Sequence, residues 1–254
     1  MQFHTSGDPQ KPPMLLIHGV LTPWQIWEPV AAHFAADYRI IIPALDAHTA
    51  EAPSEFVSIA AEADAIAQYM QRECGGSAAV ICGLSMGGAI AYDIFARGLL
   101  KTGTLVLDGA PLTGMPAIAR IVMTQSYLSL IRKSKKRDPK IMQRFAKDFL
   151  PAEYLPFYLD FVDKMSEDSI RNIIRSVCGY RFAPAENQNG TRILFLHGDR
   201  GNEAAAVRSA ALMKQHYPET EDRNYPGLLH TELMTRQPAR WCSEVEGFLK
   251  QSRR

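Results

Sequence analysis

Ser85 stands between two glycines in the pattern Gly83-x-Ser85-x-Gly87. A serine hydroxyl is a weak nucleophile at neutral pH, and it attacks an acyl carbon when an imidazole takes its proton. A carboxylate then orients the imidazole and stabilises the cation that forms. The chain holds seven histidines and 27 acidic residues from which these partners can come. The pattern therefore indicates acyl-transfer chemistry at Ser85.

The residues around Ser85 predict the elements that position it. Residues 80–82 are apolar and suit a buried strand, and the Ala-rich stretch 89–91 suits a helix. A serine at the sharp turn between them forms a nucleophile elbow, in which flanking glycines avoid clashes with neighbouring backbone. Short Gly/Ser patterns also occur in ordinary loops, and this setting is what favours the elbow. The N-terminus of the helix favours a developing oxyanion nearby.

Apolar runs alternate with helical patterns along most of the chain. Strands are predicted at 14–17, 39–43, 80–82, 104–107, 191–196 and 222–225, with helices at 24–34, 54–73, 203–216 and 238–250. Ser54 is the predicted N-cap of the second of these helices, and Gly75-Gly76 ends it. The alternation predicts an α/β fold with a mostly parallel central sheet flanked by helices. Active sites in such sheets lie at the carboxyl ends of the strands.

The composition excludes several function classes. The formal net charge of +1 implies no general attraction to nucleic acid. Residues 1–13 are polar and Pro-rich, without the apolar core of a signal peptide, and no stretch is apolar enough to span a bilayer. The four cysteines lack metal-type spacing, which predicts reduced thiols and a cytoplasmic location.

The regular alternation stops between residues 112 and 189. This segment is rich in helix formers and aromatic residues, and no convincing strand is predicted in it. The basic run 132–137 is interpreted as a solvated helix end, with steering of an anionic substrate as the alternative.

Five features follow one another along the chain and together resemble the α/β-hydrolase superfamily. They are His18-Gly19, Gly83-x-Ser85-x-Gly87, the strand end at Asp108, the strand end at His197-Gly198, and Gly227-x-x-His230. The resemblance covers nearly the whole chain and implies an α/β-hydrolase fold. It implies a core formed by residues 1–111 and 190–254, and a helical cap at 112–189, inserted between the family's sixth and seventh strands.

The resemblance also assigns roles to single residues. His230, in a loop before the last helix, occupies the place of the catalytic base, and Ser85 that of the nucleophile. The backbone N–H groups of Val20 and Met86 occupy the places of the oxyanion donors. His18 is expected to be structural, bonding to the loop backbone. Asp46 and His48 are interpreted as structural or site-wall residues.

The triad acid is where the sequence departs from the family pattern. Gly201 stands where the family usually has an aspartate after its seventh strand. Asp108, at the end of the preceding strand, is ranked first as the acid. Glu203 is the alternative if the turn is longer, and Asp199 ranks last because it suits bracing of the turn. The absence of any acid is the remaining possibility.

These inferences predict a serine hydrolase that cleaves an ester, thioester or related acyl bond through an acyl-serine intermediate. The predicted substrate is a small molecule with an apolar portion, held beside Met86 by Trp24, Trp27, Leu228 and Leu229. No metal or organic cofactor is required. The alternatives are carbon–carbon bond hydrolysis or lyase chemistry with the same residues, and a non-catalytic small-molecule binding protein on the same fold.

Overall fold

A computed structural model describes residues 1–186 and 190–251 of the chain. Its centre is a seven-stranded sheet with the order β1-β3-β2-β4-β5-β6-β7. The strands are β1 Gln2–Ser6, β2 Pro13–Ile17, β3 Arg39–Ala44, β4 Ser77–Leu84, β5 Lys101–Asp108, β6 Arg192–Gly198 and β7 Glu221–Tyr225. Strands β2 to β7 pair in parallel, and β1 pairs antiparallel with β3. The predicted α/β fold with a mostly parallel central sheet is confirmed.

The edge strand β1 lies in the N-terminal stretch that sequence analysis assigned to no element. Its residues are partly exposed and mostly polar, so it lacks the continuous apolar run that marks the buried strands. Strand β1 is held by antiparallel pairing with β3, in a register that places Phe3 opposite Pro43. The Phe3 ring also stacks on Tyr69 at a centroid distance of 3.7 Å. Pairing at the sheet edge, rather than local pattern, therefore determines this strand.

Helices cover the sheet and fill the long interval before β6. In the described part of the chain they are α1 Glu28–Phe34, α2 Ile59–Cys74, α3 Met86–Ala96, α4 Ala117–Lys135, α5 Pro139–Asp148, α6 Leu155–Lys164, α7 Glu167–Gly179, α8 Ala204–His216, α9 Glu232–Arg236 and α10 Pro238–Lys250. Two short 3-10 turns lie at Trp24–Trp27 and Ala152–Tyr154.

Helix α2 begins later than predicted. Its N-cap is Ser58, whose hydroxyl accepts the Ala61 N–H at 3.1 Å. The predicted cap, Ser54, instead donates its hydroxyl to the Asp46 carboxylate at 2.7 Å. The predicted end is correct, since Gly75 adopts the left-handed conformation of a helix C-cap. Two serines four residues apart offer the same capping chemistry, and tertiary contacts select between them.

Four helices, α4 to α7, follow β5 and precede β6. Counted along this chain, the helical segment lies between β5 and β6. These strands correspond to the sixth and seventh strands of the family's numbering. The described part of 112–189 contains no strand, as predicted. Residues 187–189 of the predicted cap and 252–254 of the predicted core lie outside the described residues. Among the helices that the structure describes, none is long and apolar enough to cross a membrane.

Candidate active site

The turn at Ser85 is a strained junction between β4 and α3. Ser85 has φ of 53° and ψ of −116°, a conformation that residues with a Cβ rarely adopt. Its N–H donates to the backbone carbonyl of Asp108 at 2.7 Å, which ties the turn to the end of β5. A Cβ on Gly87 would collide with the carbonyl oxygens of Ile17 and His18. Only glycine at this position lets α3 start so close to the end of β2.

Ser85, His230 and Glu203 form one hydrogen-bonded chain. The Ser85 hydroxyl lies 2.8 Å from His230 Nε2, and His230 Nδ1 lies 2.6 Å from Glu203 Oε1. Glu203 is 1% exposed, while Ser85 and His230 remain partly accessible. With Nδ1 protonated and facing the carboxylate, Nε2 is free to accept the serine proton. The arrangement can convert the hydroxyl into a nucleophile.

Asp108, ranked first as the acid on sequence grounds, makes a different contact. Its Oδ2 accepts the indole N–H of Trp241 at 3.0 Å, and the side chain is 2% exposed. Burial raises the pKa of Asp108 to about 7, and the nearby negative charge of Glu203 adds to the shift. The structure therefore corrects the ranking, because the carboxylate that meets His230 belongs to Glu203.

The turn after β6 is long enough to bring Glu203 to the imidazole. Gly201 has φ of 68°, and Glu203 forms the N-cap position of α8. Asp199 accepts the Gly227 N–H at 2.8 Å and so braces the turn, as expected from its early position. Gly201 stands where the family's aspartate is expected, and the carboxylate two residues later takes its place beside His230.

Val20 and Met86 line the same cavity as Ser85 and His230. A Cβ on Gly19 would lie 3.3 Å from the Ser85 Cβ, so the chain before Val20 passes directly beside the nucleophile. Met86 is the first residue of α3, where backbone N–H groups lack intrahelical partners.

His18 and His48 are buried behind this region and bond to backbone. His18 Nδ1 lies 2.9 Å from Gly19 O, and its Nε2 lies 3.1 Å from the Leu45 nitrogen. Burial lowers the pKa of His18 to about 3 and that of His48 to about 4. Both are therefore neutral at physiological pH, and the expectation that His18 bonds to the loop backbone is confirmed.

A cavity of about 350 Å³ opens next to Ser85 and His230. Its walls come from the helices before β6 as well as from the sheet side. Helix α4 contributes Met123, Tyr127, Leu130 and Lys133, at the spacing of one helix face. Phe145 of α5 adds an aromatic wall. Sequence analysis indicated that this segment is helical, but not which face of α4 meets the cavity.

In the described part of the chain, the four residues predicted as pocket walls beside Met86 are not among those that line this cavity. Trp24 stacks on His4 at a centroid distance of 3.6 Å, and Trp27 is fully buried against Trp241. Leu228 and Leu229 belong to the loop that carries His230, where the Leu228 carbonyl accepts the Arg200 N–H. Met86 itself lines the cavity. Nearness in sequence to the reactive residues did not imply a side chain directed into the pocket.

Gly109 is a site residue that sequence analysis did not single out. It has φ of 65°, and an added Cβ would lie 2.9 Å from His230 Cε1. The imidazole therefore packs on bare backbone directly after Asp108. An Asp-Gly pair at a strand end is a signal for a turn, but nothing local identifies the partner that lies against it.

In residues 1–186 and 190–251, no group of three or more His, Cys, Asp and Glu is arranged to hold a metal ion.

Comparison with known proteins confirms the predicted α/β-hydrolase fold. A model of the Alpha/beta hydrolase family matches residues 14–245. Over 99 residues the chain is 31% identical to the pimeloyl–acyl-carrier protein methyl ester esterase of Aromatoleum aromaticum. That alignment spans 39% of this chain and 37% of the relative's length.

Solved structures with the same fold cover almost the whole chain. A thermophilic esterase from Thermogutta terrifontis has a TM-score of 0.74 at 17% identity, over 98% of this chain and 93% of that one. An enol-lactonase from Burkholderia xenovorans has a TM-score of 0.74 at 18% identity, over 98% and 96% of the two chains. At these identities the likeness concerns the fold.

Proposed function

Because the chain belongs to the α/β-hydrolase family, we propose that it is a serine hydrolase acting on a carboxylic ester or related acyl bond. The observation that carries the proposal is the hydrogen-bonded chain from the Ser85 hydroxyl through His230 to Glu203, with links of 2.8 and 2.6 Å. A nucleophile, a base and a group that orients the base are the parts that acyl transfer needs. The partial likeness to a methyl ester esterase supports the same reaction class.

The proposed reaction proceeds through an acyl-serine. His230 Nε2 takes the hydroxyl proton as Ser85 Oγ attacks the acyl carbon, and the carbonyl oxygen becomes an oxyanion. The N–H groups of Val20 and Met86 donate to that oxygen, while Glu203 stabilises the imidazolium. His230 then protonates the departing alcohol as the acyl–oxygen bond breaks. Water, deprotonated by the same imidazole, attacks the acyl-serine and releases the carboxylic acid and Ser85.

The cavity supports a substrate with an apolar portion. Its lining beside Ser85 is mostly aliphatic and aromatic, and a volume of about 350 Å³ suits a small molecule. We propose that residues 112–189 act as a cap, since α4, α5 and α7 all contribute walls. A shortened cap segment is expected to change acyl-length preference more than it changes labelling of Ser85 by a fluorophosphonate.

Hydrolysis of p-nitrophenyl esters of increasing acyl length tests the proposal. Wild-type protein is expected to turn over, and Ser85→Ala is expected to lose about 10³-fold or more in kcat. The matched control is Ser243→Ala on α10, an exposed serine whose hydroxyl donates to the Ala239 carbonyl, and it should match the wild type. Turnover that persists in Ser85→Ala would contradict the mechanism. A wild type that neither hydrolyses any ester nor reacts with a fluorophosphonate would instead favour a binding protein.

A further inference from the structure

The carbonyl oxygen of Gly19 is held by several donors at once. His18 Nδ1 lies 2.9 Å from it, and the Thr22 hydroxyl donates to it at 2.9 Å. The Thr22 N–H also points to it, at 3.5 Å. This carbonyl belongs to the same planar trans peptide as the Val20 N–H, and the two groups point in opposite directions. Donors that fix the carbonyl therefore fix the direction of the Val20 N–H.

A reciprocal pair of histidines ties this segment to the loop after β3. His18 Nε2 accepts the Leu45 N–H at 3.1 Å, and His48 Nε2 accepts the Leu21 N–H at 3.1 Å. The two imidazoles lie edge to face, with centroids 5.1 Å apart, and they are 0% and 1% exposed. Each loop thus supplies the histidine that accepts from the other loop's backbone.

The hydrogen-bond partners define one tautomer for both rings. On each ring, Nε2 faces a backbone N–H and must be unprotonated, while Nδ1 faces a carbonyl and must carry the proton. For His48 that carbonyl belongs to Asp46, at 2.9 Å. Neutral rings meet both demands. The pair is therefore a fully satisfied polar network in the interior, which holds its members in one geometry.

Backbone conformation shows that the network maintains an unfavourable shape. Leu21 has φ of 56° and Ala47 has φ of 66°, in the left-handed region that residues with a Cβ rarely adopt. Such conformations persist when surrounding contacts over-determine them, and they cluster at functional sites. Leu21 is also the residue whose N–H bonds to His48.

We propose that His48, together with His18 and Thr22, positions the Val20 N–H as an oxyanion donor beside Ser85. The inference rests on the proposed function and assigns a specific task to residues that take no part in the chemistry. His48 acts through the backbone and not on the substrate, so it is a positioning residue. Loss of its acceptor frees the loop, and the Val20 N–H loses its fixed direction, while the cavity walls that α4 and α5 supply are left in place.

The test compares two substitutions at His48. His48→Leu removes the acceptor, whereas His48→Gln retains an amide oxygen near the place of Nε2. With active sites titrated by a fluorophosphonate, His48→Leu is expected to lower kcat for a p-nitrophenyl ester by about 10- to 100-fold at nearly unchanged KM. Inhibition by a trifluoromethyl ketone, whose adduct carries an oxyanion, should weaken by a similar factor. His48→Gln should recover most of both losses.

The matched control is Thr102→Val, near the start of β5 and at the opposite end of the sheet from Ser85. It removes a buried side-chain hydrogen bond, from Oγ1 to the Leu100 carbonyl, and should lower Tm while kcat stays at the wild-type value. If His48→Leu does not fold, the comparison is made between Thr22→Val and His48→Gln. Thr22→Val removes the hydroxyl that donates to the Gly19 carbonyl. Thr22→Val should weaken ketone inhibition and lower kcat together.

The outcomes separate this inference from the proposed function. Wild-type turnover that depends on Ser85, with unchanged kcat and ketone inhibition in His48→Leu and Thr22→Val, would overturn the positioning role alone. A fall in kcat without weaker ketone inhibition would also overturn it. A wild type without turnover dependent on Ser85 would overturn both proposals.

Discussion

The carboxyl ends of β5 and β6 each bring a buried carboxylate to the site, and the two have different partners. Asp108 is the last residue of β5 and accepts from the Trp241 indole at 3.0 Å. Glu203 follows β6 after a longer turn and bonds to His230 at 2.6 Å. Both side chains are at most 2% exposed. The two carboxylates therefore differ in the donor that each one bonds to, and not in their position after a strand end.

The charge of one carboxylate affects the other. Burial raises the pKa of Asp108 to about 7, and the negative charge of Glu203 reinforces that shift. A nearby like charge disfavours ionisation of a buried carboxylic acid. Asp108 has the neutral indole of Trp241 as its donor, while Glu203 bonds to the imidazole of His230.

The largest expected difference between the two carboxylates is in turnover. Glu203→Gln should lower kcat by about 10²- to 10⁴-fold, because the imidazolium loses its counter-charge and its orienting acceptor. Asp108→Asn should change kcat by less than about fivefold, since an amide oxygen can still accept from Trp241. The measurement is kcat on a p-nitrophenyl ester for both variants. The opposite pattern would return the acid role to Asp108.

A smaller effect on kcat is expected at Gly109, directly after β5, where an added side chain would contact His230 without changing any charge. Gly109→Ala should lower kcat by about 10- to 100-fold, because the new Cβ would lie 2.9 Å from His230 Cε1 and displace the ring. Gly98→Ala is the control for backbone strain. Gly98 has φ of 62°, close to the 65° of Gly109, but a Cβ there meets nothing within 4 Å. Equal losses of kcat in both variants would contradict the contact explanation.

The smallest expected difference appears in the pH dependence of stability. The folded-state pKa of Asp108, about 7, lies above its unfolded value, so the folded state binds more protons between about pH 4 and pH 7. The free energy of unfolding therefore decreases as pH rises through that window. Asp108→Asn lacks this decrease, so its stability relative to wild type should improve by roughly 1–3 kcal/mol from pH 4 to pH 8.

Urea unfolding of both proteins at several pH values measures this change. An offset between variant and wild type that does not vary with pH would show that Asp108 is already ionised in the folded protein at acidic pH. The contrast with Glu203 would then rest on geometry alone.

Much of the fold followed from local patterns. The buried strands were found because apolar runs such as residues 14–17 and 104–107 remain recognisable without their neighbours. The elbow was found because only glycine tolerates the close approach at Gly87. Strand β1 was missed because it is polar and depends on pairing with β3. The cavity walls were not predicted correctly, because the direction of a side chain in a loop or a single 3-10 turn has no sequence period.

In the candidate site too, the residues in local motifs were predicted, and the contacts between distant residues were not. Ser85 and His230 were identified from short motifs and their order along the chain, and the structure brings them to 2.8 Å. Gly109 was not recognised as a neighbour of His230, and His48, interpreted as structural or site-wall, was not recognised as the acceptor of the Leu21 N–H. In both cases the partner lies far along the chain. Hydrogen bonds across such separations leave no local signal.

The sequence by itself determined the strand–turn–helix at Ser85 and the order of the elements, because backbone sterics and side-chain periodicity act over a few residues. Only the tertiary structure decided which carboxylate meets His230. That choice depends on the path of the turn between Gly198 and Glu203, and on an indole donor 133 positions from Asp108. A hydrogen bond requires atoms within about 3 Å of each other, and distances on that scale are set by the packing of the whole chain.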